Sequence, residues 1–160
     1  MTTLKYFQFP TTLETISSFA FQGCSNLAVP QDGFASLTSL RTLGQLPFGA
    51  AFSALTTGLG NIHLPGSLTS LNQGSFANFN VASGENVGTL QIGGSGDPSQ
   101  INSLSTSGIF RLNGGAYYGA VTVYIRDGVS LDETTWRTYI ENPNNMGYRA
   151  NVTSVSILPA

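Results

Sequence analysis

The sequence predicts a solenoid of mostly short parallel β-strands joined by irregular loops, with one short C-terminal helix as a cap. Three observations predict it. The stretch "FPTTLETISSFAF" from Phe9 returns as "LPGSLTSLNQGSF" from Leu64, with Pro10, Leu13 and Phe21 answered by Pro65, Leu68 and Phe76. A proline preceded by an apolar residue recurs at Pro10, Pro30, Pro47 and Pro65, at spacings of 20, 17 and 18 residues. Each is followed by a phenylalanine opening a short apolar signature: "FQGC" from Phe21, "FASL" from Phe34, "FSAL" from Phe52 and "FANF" from Phe76. A unit of about twenty residues cannot bury its own apolar side, so such units must stack into a continuous ladder.

The elements follow in order. A first strand lies around Phe7, with Leu4, Tyr6 and Phe9. The alternating segments "LAVP", "LRTLGQLP", "GLGNIHLP" and "VGTLQIGG" place further strands near Ala28, Leu43, His63 and Leu90. Proline after a strand supplies no ladder donor and stops it where the chain turns. The phenylalanines are expected to point inward and fill the widest part of the cross-section. A looser fifth copy runs from Phe110 to "AVTVYIRD". Between them, Gly93 to Gly119 reads as a Gly/Ser-rich connection holding one short strand, "IFRL", with turn signals at Asp97-Pro98 and Asn113-Gly114. The strand "VTVYI" and a turn at Asp127-Gly128 lead to a helix beginning near Asp132, an acidic cap preceding Glu133. Trp136, Tyr139 and Ile140 share one face of that helix and are expected to close the apolar ladder. The final strand "VTSVSI" precedes Pro159. The chain reads as one continuous domain in three stretches: 1–95 the repeats, 96–119 the connection, 120–160 a terminal repeat and capping segment. The strands near Phe7, Ala28, Leu43, His63, Leu90, Val123 and Val155 are expected in that spatial order in one parallel sheet, since each unit returns in the same direction.

These residues resemble a known family, the BspA-like leucine-rich repeats, which carry an apolar-Pro ending, an "L..I" pair, an "F..C" pair and a following leucine. "FPTTLETISSFAFQGCSNL" is a close match and "LPGSLTSLNQGSFANF" a good one; the two copies between are shortened, and "VPQDGFASLTSLRTL" is similar to an ordinary leucine-rich repeat. The resemblance covers about the first 95 residues. Beyond them, "VTVYIRDGVSLDETTWRTYI" resembles the ending that follows such repeats, with Arg126 departing from the usual proline. The resemblance implies a leucine-rich-repeat solenoid serving as an adhesion or protein-binding module, as in family members on bacterial surfaces and in some parasites.

Composition narrows the function. The 160 residues are 41% hydrophobic but only 9% charged, against about a quarter charged in average soluble proteins. A net charge of −2 leaves no basic patch for nucleic acid or an anionic membrane. No apolar run reaches the roughly 20 residues of a membrane span, and no signal peptide is visible at the N-terminus. The single Cys24 excludes an internal disulfide, and its place in "FQGC", filled elsewhere by Leu37, Leu55 and Phe79, marks it as a small buried residue rather than a nucleophile. His63 is the only histidine, so no paired-imidazole metal site can form and any triad would have to be built on it. Asp97, Asp127, Asp132 and Glu133 show no metal-loop spacing, and "GGSGDP" lacks the Lys and Ser/Thr of a phosphate loop. No catalytic residue, metal or cofactor is expected, and the chain reads as not an enzyme. A glycosylation sequon stands at Asn151.

Two surfaces remain. Outward positions between ladder residues put Gln8, Ala28, Gln45, His63, Gln91, Tyr124 and Ser156 in one row at about 4.8 Å spacing. Such a neutral, amide-rich stripe suits a protein backbone or glycan; equally, it is a solvated sheet face. At the other surface, the first strand has no visible cap, so Tyr6, Phe7 and Phe9 are expected at a contact with another subunit or partner, unless the segment around Ser95 folds back to cover them. A solitary monomer is not expected. The readings carried forward are a recognition or adhesion module on an extracellular surface, such as that of a bacterial cell, and a structural component of a phage virion, either a capsid decoration, head fibre or tail protein.

Overall fold

A computed structural model describes residues 3–28, 34–48, 62–75, 87–105, 117–126, 131–142, 151–152 and 154–160. Strands are short and parallel, as expected, but they form two ladders rather than one. The first joins β1 (Thr15–Ile16), β2 (Thr42–Leu43), β4 (Ser70–Leu71) and β6 (Ser103–Leu104). The second joins β3 (Ile62–Leu64), β5 (Val87–Ile92) and β7 (Tyr117–Ile125), whose far edge pairs with β8 (Asn151–Val152) and β9 (Val155–Pro159).

The single-sheet expectation is therefore corrected. His63, Leu90, Val123 and Val155 do follow one another in the second ladder. Leu43 belongs to the first, so Gln45 is not beside His63. Near Phe7 and Ala28 the described residues form no strand, although the Ala28 N–H donates to the Lys5 carbonyl. The physical reason lies in the period. Successive rungs of the first ladder, Thr15, Thr42, Ser70 and Ser103, lie 27, 28 and 33 residues apart. One coil of about thirty residues has room for two strands where a twenty-residue unit has room for one. Pro47 then loses its role as a repeat boundary: its carbonyl accepts from the Phe21 N–H in the loop after β2.

Alternation within each ladder builds one core. Ile16, Leu43 and Leu71 point in from the first; Ile62, Leu64, Leu90, Ile92, Val121 and Val123 point in from the second. The signatures "FQGC" and "FASL" fold alike. In each, the fourth residue donates its N–H to the first carbonyl, and a leucine three further on repeats the turn, giving Phe21–Cys24–Leu27 and Phe34–Leu37–Leu40. Cys24 is buried among them, as expected. Phe34 is fully buried and Phe21 half-buried; Phe52, Phe76 and the strand "IFRL" lie outside the described residues. Phe48, which the sequence reading passed over, stacks on Phe21 at 5.6 Å with the rings 13° apart.

The helix α1 (Glu133–Glu141) is capped by Asp132, whose carboxylate accepts from the Thr135 N–H at 2.7 Å. It buries Trp136, Tyr139 and Ile140 and covers the last rung of the first ladder: the Leu131 N–H donates to the Ile101 carbonyl, and the Tyr139 hydroxyl to that of Ser105. Arg137 Nη1 reaches the Val155 carbonyl on β9 at 3.5 Å. Residues 96–105, read as a connection, are continuous with the coils: Ser99 and Ile101 are fully buried and β6 lies among them.

Candidate functional site

The outward residues of the second ladder form the best-defined surface. Cα register sets His63 beside Gln91, Gln91 beside Thr122 and Thr122 beside Ser156. A second row runs alongside, with Tyr124 opposite Leu158. Tyr124 is thus displaced by two residues from its expected place, because β7 continues past the rung where β5 ends at Ile92. Thr122 was missed for the same reason: matching Arg126 to the family's proline aligned the wrong pair of apolar residues. The alternation of Val121 and Val123 about Thr122 was the signal available.

The row is held from one end by a turn. The Gly94 N–H and Asp97 carbonyl, and the Asp97 N–H and Gly94 carbonyl, close it reciprocally at 2.8 and 2.9 Å. Asp97 Oδ2 accepts from the Gly66 N–H at 2.8 Å. A Cβ on Gly66 would lie 2.5 Å from the Asp97 carbonyl oxygen, so only glycine permits this approach. The turn presents the Gly93 carbonyl to both His63 Nε2, at 2.9 Å, and Gln91 Nε2, at 2.8 Å. A carbonyl oxygen only accepts, so both nitrogens are donors and His63 carries its proton on Nε2. Their 3.3 Å approach to each other is then a contact between donors, not a bond. His63 is half-buried and tied to the turn rather than simply exposed.

The remaining expected stripe residues lie elsewhere. Gln8 is exposed and outside any strand, and Ala28 is half-buried next to Lys5. Gln45 sits in the loop after β2, where its N–H donates to Ser18 Oγ at 3.0 Å and its amide to Gln73 Oε1 at 3.1 Å. The first ladder has an outward row of its own, Thr15, Thr42, Ser70 and Ser103. At the N-terminal end, Tyr6 is 82% and Phe7 46% exposed. Phe9 is half-buried instead, edge-on to Phe7 and Phe21 at 4.9 and 5.4 Å and in contact with Phe34. The segment around Ser95 turns over Gly66 and does not reach these residues through any described hydrogen bond.

Among the described residues, no three His, Cys, Asp or Glu side chains gather where they could hold a metal, and no helix is long and apolar enough to cross a membrane.

Comparison with known proteins agrees with the repeat pattern. The profile of the BspA type leucine rich repeat region (6 copies) matches residues 1–83. The chain belongs to the BspA-type leucine-rich repeat family. Repeats of this family suggest a protein-binding or adhesion module and are typically non-enzymatic. No curated protein and no solved structure matches the chain.

Proposed function

We propose that this protein is a non-enzymatic adhesion module, displayed at an extracellular surface, whose contact surface is the outer face of the second ladder. In this reading the two ladders are two sides of one short solenoid, each coil contributing a strand to both. The observation that carries it is the registered row His63–Gln91–Thr122–Ser156, a continuous polar strip with one end fixed by the Gly93–Asp97 turn. A pre-ordered row loses little side-chain freedom on binding. The first ladder's row is the internal comparison, since it offers similar hydroxyls but no such turn.

The test is to place an arginine on each face and measure binding to immobilised extracellular-matrix proteins and to whole cells. Thr122→Arg should abolish adhesion and Thr42→Arg should leave it unchanged. Equal loss from both, or from neither, would refute the assignment.

A further inference from the structure

The chemistry of the second ladder's outer face points to a neutral polysaccharide as its ligand, an inference that rests on that face being the contact surface. Among the described residues, the outward-facing strand positions His63, Thr89, Gln91, Ala120, Thr122, Tyr124, Ser156 and Leu158 include no Asp, Glu, Lys or Arg, and the cation bordering them is Arg126, just past Tyr124 and beside Leu158. Polyanions would find a single counter-charge there, at the end of the second row. A protein surface, about a quarter charged, would bring charges of both signs to be desolvated against a face with one cation at its edge to pair them. A neutral glycan brings none.

What the face does offer matches a sugar ring. Hydroxyls both donate and accept, as do the Thr122 and Ser156 side chains and, through its carbonyl oxygen and amide, Gln91. A sugar ring also has an apolar C–H side, and the second row supplies an apolar strip parallel to the polar one: the Tyr124 ring next to Leu158, which is 38% exposed. The two rows run across the strands with a repeat of about 4.8 Å. A linear chain lying along them would set its hydroxyl edge on Gln91, Thr122 and Ser156 and its C–H side on Tyr124 and Leu158. The Gly93–Asp97 turn, which already holds Gln91 and His63, fixes the polar row before the ligand arrives.

The experiment is depletion of the full chain from solution by insoluble cellulose, chitin, mannan and β-1,3-glucan, with heparin and alginate beads as polyanions. Retention is expected on at least one neutral polymer and on neither polyanion. Tyr124→Ala and Gln91→Ala should each weaken retention about tenfold, the loss of a stacked ring or a buried polar contact. Tyr124→Phe should keep it, and Thr42→Ala on the first ladder should not change it. Thermal melts of each variant separate lost contact from lost fold. Failure of all four neutral polymers, or retention indifferent to both Tyr124→Ala and Gln91→Ala, overturns the inference. If a protein ligand is instead captured through this face, in a manner abolished by Thr122→Arg, the glycan assignment falls and the adhesion reading stands. If no ligand responds to changes on this face, both fall.

Discussion

Three residues at equivalent points of successive coils share an unusual backbone. Phe19, Leu46 and Gly74 have φ of 61°, 47° and 62°, and the first two donate their N–H groups to Gln45 and Gln73 of the next coil. The left-handed conformation costs an L-residue about 1–2 kcal/mol and glycine almost nothing. Phe19 is also 46% exposed, so packing offsets only part of the strain. Phe19→Gly should therefore stabilise the protein by about 1 kcal/mol in denaturant titration, less the entropy the unfolded glycine gains. This column was not legible in the sequence, because only its third member is a glycine. Phe48 was hidden differently: the expected phenylalanine was sought at Phe34 and Phe52, while "LRTLGQLP", ending just before Phe48, read as a strand stopped by its proline. Phe48→Ala should cost about 3–5 kcal/mol, the range for a buried aromatic. Phe21→Ala should cost less, since Phe21 is only half-buried.

At the level of elements, the helix was legible in its start and its buried face. Asp132, Glu133 and the spacing of Trp136, Tyr139 and Ile140 encode start, polarity and buried face by local rules, and all appear as read. The strands were legible as segments but not as partners, because period-2 alternation names the inward residues without saying which coil position they occupy. Hydrogen bonds from Thr135 to Asp132, side chain first and backbone second, hold the Asp132 carboxyl below its ordinary value of 3.8. A carboxyl lowered in the folded state binds its proton more readily when unfolded, so its stabilisation is present above that ordinary value. It is lost as pH falls through the lowered one. Asp132→Asn, which keeps an acceptor but cannot titrate, should flatten the dependence of Tm on pH over this acidic interval. An unchanged slope would mean the cap contributes nothing.

For the whole molecule, the family was legible because its repeat is written in side chains of fixed type at fixed spacing. The division into two ladders was not, because it depends on coil length and two intervening prolines were counted as boundaries. The N-terminal end is the less covered one, with Tyr6 and Phe7 presented to solvent beside a cluster of phenylalanines. A contact with another subunit or partner there predicts concentration-dependent association in sedimentation at micromolar protein, removed by Phe7→Lys. A monomer indifferent to that change would refute it.

The other end of the second ladder bears on how copies of the chain can polymerise. Ser154 and Ala160 bond to β7, so Val155, Ile157 and Pro159 turn their backbone groups away from the sheet. Of these, proline has no N–H to give, and Arg137 occupies the Val155 carbonyl. Only Ile157 keeps both outward groups, too little to template another strand and start a fibril. Replacing both guards, as in Pro159→Thr with Arg137→Ala, should shorten the lag of thioflavin-T fluorescence on prolonged incubation. Either replacement alone should have a smaller effect.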